Sequence, residues 1–156
     1  MARHDRRFRF SVQAGSAASG TEWAALAREA ESLGYAALLM PDHFGEQLAP
    51  GPALAAAAAA TTALQIGCLV FDNDYRHPVV LAKEAATLDV LSAGRLVLGL
   101  GAGWLTSDYE QSGIPCDPIG VRIDRMVEGL RVLQGLMADG AFSFQGEHYT
   151  ITEMDG

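Results

Sequence analysis

Residues 64–78 read Leu-Gln-Ile-Gly-Cys-Leu-Val-Phe-Asp-Asn-Asp-Tyr-Arg-His-Pro. Leu64 to Phe71 is an apolar run of strand length, and Asp72 to His77 is a polar loop. Pro78 has the fixed φ that suits a first helical turn, so the pattern predicts a helix to about Leu91, stopped by Ser92, Ala93 and Gly94. The same order of strand, polar break and helix restarts near Phe8, Ala36 and Leu96. Strands alternating with helices at about 30-residue spacing are the mark of βαβ units in a parallel sheet, whose ligands sit at the carboxyl ends of the strands.

Working outward, Phe8 to Gln13 alternates apolar and polar residues as a strand with one covered face does. Ser19 and Glu22 form a capping-box pair before a helix whose face is Trp23, Leu26, Ala27, Ala30 and Leu33, closed by Gly34. Ala36 to Met40 is a short, wholly apolar strand ended by Pro41 to His43, and Pro52 opens a second helix through the alanine run to about Thr62. Leu96 to Leu100 is a fourth strand. A following helix carries Ile123, Met126, Val127, Leu130, Leu133 and Met137 on one stripe, and Phe142 to Ile151 reads as a hairpin. A (β/α)₈ barrel takes about 250 residues, so these four units correspond to half of one. The alternative is a four-stranded doubly wound sheet, in which the hairpin has no obvious place.

With 156 residues, 49% apolar and 19% charged, the chain has the composition of a globular protein with a real core. A formal net charge of -8 argues against a nucleic-acid partner, since the basic residues cluster only at Arg3 to Arg9. That run leads into a strand without an apolar segment of signal-peptide length, and no stretch reaches the roughly 20 apolar residues of a membrane span. Cys68 and Cys116 lack Cys or His neighbours at ligand spacing, which fits reduced thiols in a cytoplasmic protein and no metal site.

The strand ends hold the candidate chemistry. His43 can exchange a proton near neutrality and Asp42 can orient it; equally, the two can simply shape the loop. Phe71, Asp72, Asn73 and Asp74 offer acceptors and an amide at the end of the third strand, or a turn. Gly99, Gly101 and Gly103 leave one strand face without side chains, for a flat ligand or for close packing, and match neither the dinucleotide nor the P-loop pattern.

Taken together, RFSVQAG at 9–15, Pro41-Asp42-His43-Phe44, the Asp72 to Pro78 loop, RLVLGLGAGW at 95–104 and the Arg122-x-x-Arg125 helix resemble the luciferase-like monooxygenase superfamily. The pattern looks most like its branch that uses the deazaflavin coenzyme F-420. The resemblance implies that residues 1–156 are the N-terminal half of a single (β/α)₈ TIM-barrel domain, about its first four βα units plus a β-hairpin. It implies hydride transfer from reduced F-420 to a small organic substrate, with His43 and Asp42 as catalytic residues. Phe71, Asp72, Asn73, Gly101 and Gly103 would bind the cofactor, and a bulge with a non-proline cis peptide would map to Val70, Phe71 and Asp72. Arg122 and Arg125 would hold their helix by ion pairs. Two alternatives stand beside this one. The first is an FMN-dependent monooxygenase of the same fold, using O₂ and served by a flavin reductase. The second is a non-catalytic half-barrel that needs a partner chain or a second copy, because two open strand edges invite pairing.

Overall fold

Four short apolar runs, each followed by a proline or a capping residue, become strands alternating with helices. In the computed structural model, which describes residues 8–156, the elements are β1 (Ser11–Gln13), α1 (Gly20–Ser32), β2 (Ala37–Met40), α2 (Pro50–Ala60), β3 (Gln65–Asp72), α3 (Pro78–Ser92), β4 (Leu96–Gly101), α4 (Thr106–Ser112), α5 (Ile119–Leu136), β5 (Phe142–Gln145) and β6 (Thr150–Met154). The start of the basic run, Arg3 to Arg7, lies outside the described residues. The strands β1 to β4 form one parallel sheet in chain order, while β5 and β6 pair antiparallel. The helices pack in chain order too, α1 on α2, α2 on α3 and α3 on α5. A doubly wound sheet reverses its strand order at a switch point. Here the order never reverses, so the layers follow half of a barrel, with every strand delivering its carboxyl end to the same mouth.

Side-chain chemistry explains most boundaries. The Ser19 hydroxyl accepts from Glu22 N–H, and the Glu22 carboxylate accepts from Ala18 N–H, a reciprocal cap on α1. Gly34, at φ +80, takes the left-handed turn after it. Helix α2 begins at Pro50, two residues before the predicted Pro52, because either proline fits a first turn that needs no N–H donor. The ladder of β1 begins only at Ser11, opposite Ala37, since β2 is four residues long. Phe8 and Phe10 therefore lie before it, exposed. Leu38, Met40, Ile66, Cys68 and Phe71 are buried under Trp23, Ala27, Leu54, Ala57, Leu81 and Leu88 of the helices. Each large aliphatic residue so covered contributes about 1.5–3 kcal/mol. The Trp23 indole N–H donates to Ala53 O at 2.8 Å, locking α1 on the alanine-rich α2.

Two features differ from the sequence pattern. Helix α4, around the buried Asp108 and Tyr109, carries too little apolar periodicity to be read in advance. In α5 the buried residues are Arg122, Gly129, Val132, Leu133 and Leu136, whereas Ile123, Val127, Leu130 and Met137 are exposed. The reason is close approach at two glycines: a Cβ on Gly129 would overlap the Asn73 side chain, and one on Gly135 would overlap the Phe142 ring. The small residues face the protein, and part of the bulkier stripe is left on the open side of β4.

Arg95, just before β4, ties three elements together. Its Nη1 donates to Thr61 Oγ1 and Leu64 O at 2.9 and 2.8 Å, Nη2 to Ala58 O at 2.8 Å, and Nε to Ser92 O at 2.6 Å. A lysine ammonium cannot reproduce this planar fork. Arg95→Lys should therefore lower the unfolding free energy by about 1–3 kcal/mol, measured by urea denaturation.

Candidate functional site

Because β2, β3 and β4 run parallel, the loops after Met40, Asp72 and Gly101 share one mouth. Asp42 is buried there, and its carboxylate is turned to Arg76, which donates to Oδ2 at 2.6 Å and to Oδ1 at 3.0 Å. Asp72 N–H donates to the same Oδ2 at 2.9 Å. The Arg76 guanidinium lies 5.0 Å over the Phe71 ring. Asp42 thus joins the ends of β2 and β3.

His43 is held by a different acid, one the sequence reading did not single out. Its Nδ1 lies 2.7 Å from Oδ2 of Asp108, from α4, and the Tyr75 hydroxyl donates to that oxygen at 3.0 Å. Burial, and then this bond to Asp108, push the Tyr75 hydroxyl above its ordinary range, so it stays a donor. The edge of His43 meets the Trp104 ring at 5.8 Å, and Phe44 lies on Tyr75 at 4.4 Å. Trp104 is 72% exposed and Phe44 52%. Nε2 of His43 has no hydrogen-bond partner among the described residues. The one advance signal for Asp108 was its place four residues after Trp104, just beyond the end of the fourth strand.

The end of β3 is irregular. The register against β4 shifts between Cys68 and Phe71, and the Leu69–Val70 peptide bond is cis, at the front of the segment to which the resemblance mapped it. Leu69 and Val70 are exposed although they lie within a paired strand. The space left by the glycines of β4 is filled by the chain itself. A Cβ on Gly99 would stand 2.9 Å from Val70 Cγ1, and one on Gly101 2.5 Å from Val70 Cγ2. Gly103, at φ +71, leaves room for the Tyr109 hydroxyl and the Asp72 carboxylate. Asp72 and Asn73 are both buried and bonded inward. Asp72 Oδ1 accepts from Asp74 N–H at 2.9 Å and Oδ2 from the Tyr109 hydroxyl at 3.2 Å, while Asn73 Nδ2 donates to the Tyr149 hydroxyl at 3.0 Å. Burial, then the charges of Asp74 and Asp42, hold the Asp72 carboxyl above its usual range. The mouth therefore brings His43, Trp104, Leu69 and Val70 to its surface, and keeps Asp42, Phe71, Asp72 and Asn73 behind it.

Arg125 pairs with Asp74 at 2.9 Å and with Asp117, as the resemblance implied for an ion-paired helix. Arg122 works otherwise: it donates to the carbonyls of Asp117, Ala102 and Gly103 at 3.0, 3.1 and 2.7 Å, fastening the β4 loop. Among the described residues no group of three or more His, Cys, Asp or Glu could hold a metal ion, and no helix is long and apolar enough to cross a membrane. An open hollow of about 630 Å³, between His77–Val80 and Thr150–Asp155, is not lined by His43.

Known proteins share this frame. An uncharacterized protein of Mycobacterium tuberculosis is 31% identical, with 81% of this chain and 51% of that protein matched. An F-420-dependent glucose-6-phosphate dehydrogenase of Amycolatopsis mediterranei is 30% identical over 80% of this chain and 40% of its own length. Among solved structures, the coenzyme F-420-dependent tetrahydromethanopterin reductase of Methanopyrus kandleri superposes with a TM-score of 0.82 at 24% identity, covering 93% of this chain and 44% of that one. The oxygenating constituent of 3,6-diketocamphane monooxygenase from Pseudomonas putida, in complex with FMN, gives 0.76 at 21% identity, covering 92% and 43%. The chain spans about half the length, or less, of the relatives it matches. The solved structures share the fold, and since the luciferase-like monooxygenase family matches residues 7–156, the chain belongs to this family.

Proposed function

We propose that this chain supplies the ring-binding half of an F-420-dependent oxidoreductase, which passes hydride from the reduced deazaflavin to a small organic substrate. The observation that carries the reading is His43 Nε2, free of protein partners beside the exposed Trp104 and the exposed Leu69–Val70 bulge, all at the carboxyl mouth of the sheet. A flat tricyclic ring would lie against that apolar wall. The relative from Amycolatopsis mediterranei supports the choice of F-420. When bound, the cofactor supplies hydride chemistry, which the protein's own side chains lack. His43 would hold or deliver a proton at Nε2 to the substrate atom next to the reduced carbon, and Trp104 would exclude water from that point. Asp42, Phe71, Asp72, Asn73, Gly101 and Gly103 would shape the wall from behind.

Equilibrium titration with oxidised F-420 and with FMN, followed by fluorescence, tests this. Selective F-420 binding, weakened about tenfold or more in His43→Ala and Trp104→Ala, is the expected result, a change of about 1.4 kcal/mol. Preference for FMN would favour the monooxygenase reading, which the FMN-bound neighbour from Pseudomonas putida also supports.

Asp72 offers a second check. A carboxyl whose folded-state pKa is raised favours the folded form when protonated. That contribution is complete below the ordinary carboxylate pKa of about 4 and is lost as pH rises through the raised value. Asp72 thus costs stability at neutral pH. Asp72→Asn should raise the melting temperature at neutral pH, the gain fading in acid, and should leave F-420 affinity within about twofold. A large loss of affinity would instead give Asp72 direct contact with the ring.

The half-barrel reading, in which the chain pairs with a second copy, also has an observation behind it. Strand β4 has an open edge among the described residues, and Leu98, Leu100, Met126, Leu130, Leu133 and Met137 line an apolar groove of about 240 Å³ beside it. Sedimentation should then give a species larger than a monomer, which Leu130→Glu dissociates; a monomer at all concentrations would count against this.

A further inference from the structure

We infer that Asp108 is a positioning residue that holds the His43 ring in its Nδ1–H tautomer, so that Nε2 is the nitrogen presented at the mouth. The proposal rests on reading His43 as the acid–base group, and the argument for the clamp is geometric. Oδ2 of Asp108 lies 2.7 Å from His43 Nδ1 and 3.0 Å from the Tyr75 hydroxyl. That oxygen accepts from the Tyr75 hydroxyl, and an oxygen accepting from two neighbours requires both to donate, which puts the ring proton on Nδ1. Tyr75 meets this requirement, since burial and the bond itself keep its hydroxyl protonated.

The surroundings fix the clamp in place. Asp108 is 6% exposed, on the α4 turn whose next residue, Tyr109, is buried against Asp72 and Asp74. Tyr75 is gripped between Phe44 and Tyr109, with ring centres 4.4 and 5.7 Å away. Asp42, although adjacent in sequence to His43, is wholly engaged by Arg76 and Asp72 N–H. The orienting carboxylate therefore comes from 65 residues further along the chain, across the mouth. An acceptor bonded to one ring nitrogen selects the other as the one that can exchange a proton with a ligand.

Long-range ¹H–¹⁵N NMR on the ¹⁵N-histidine-labelled chain reads the tautomer directly, at about pH 9 where imidazole is neutral. The His43 signal is assigned by its loss in His43→Gln. The wild-type ring should show a protonated Nδ1 and a bare Nε2, opposite to the preference of a solvated imidazole. Asp108→Ala should shift the tautomer ratio towards Nε2–H by about tenfold or more. Tyr75→Phe, which leaves the acceptor in place, should preserve Nδ1–H. A wild-type ring protonated on Nε2, or one unchanged in Asp108→Ala, would overturn the clamp. The measurement uses no cofactor, so its failure is distinct from failure of the F-420 titration.

Discussion

The buried Asp42 carboxylate is the constraint on which the mouth depends. It accepts two bonds from Arg76 and one from the backbone N–H of Asp72, so the last residue of β3 and the loop after β2 are fixed to each other. A paired buried charge is weak evidence for net stability, because desolvation offsets much of the attraction, yet removing one partner of such a pair costs about 3–5 kcal/mol. The pair is better understood as a register device. It sets where the loop turns, and His43 follows from that turn.

The same division of labour runs through the rest of the site. The two acids have separate tasks: Asp42 fixes backbone, and Asp108 faces the histidine. On β3, the bulge pushes Val70 against β4, and only glycines at 99 and 101 can receive it, since any Cβ there would fall within 3 Å of Val70 or Cys68 atoms. Interiors pack too tightly to absorb such an overlap without backbone movement. The Gly-x-Gly-x-Gly run is therefore the complement of an irregularity on the neighbouring strand.

That layering also explains what could be read from the sequence. The four βα units and the hairpin were legible, because Pro78, Ser19, Gly34 and the apolar runs act locally, through φ restriction and capping. The shared mouth of the loops was legible too, since parallel strands send their carboxyl ends to one side. The buried face of α5 was not, because Gly129 and Gly135 make the contact and carry no hydropathy signal. Nor was Asp108, whose partner lies 65 positions away, on a helix of seven residues. Arg95 reads as one more surface arginine until the carbonyls of Ala58, Thr61, Leu64 and Ser92 are seen to converge on it. Chemistry fixed by neighbours in sequence shows itself early; chemistry fixed by closure of the fold does not.

Charge completes the argument about what this mouth is suited to hold. Its acids are numerous, and the arginines near them are committed: Arg76 to Asp42, Arg125 to Asp74 and Asp117, and Arg122 to carbonyls. A phosphate would need donors that are not already bonded, and these three could turn to one only by abandoning a buried carboxylate or loop carbonyls. An uncharged, flat, largely apolar group meets a smaller penalty, since Leu69, Val70 and Trp104 offer it exposed apolar surface. The two ends of a flavin-like molecule thus have opposite needs, and under the proposed function this mouth would meet those of the ring. If the ring lies there as proposed, His43, with Nδ1 beside Asp108, adds one polar atom to an otherwise apolar wall, and a single proton-exchanging atom in an apolar surround is what a proton transfer coupled to hydride transfer would require.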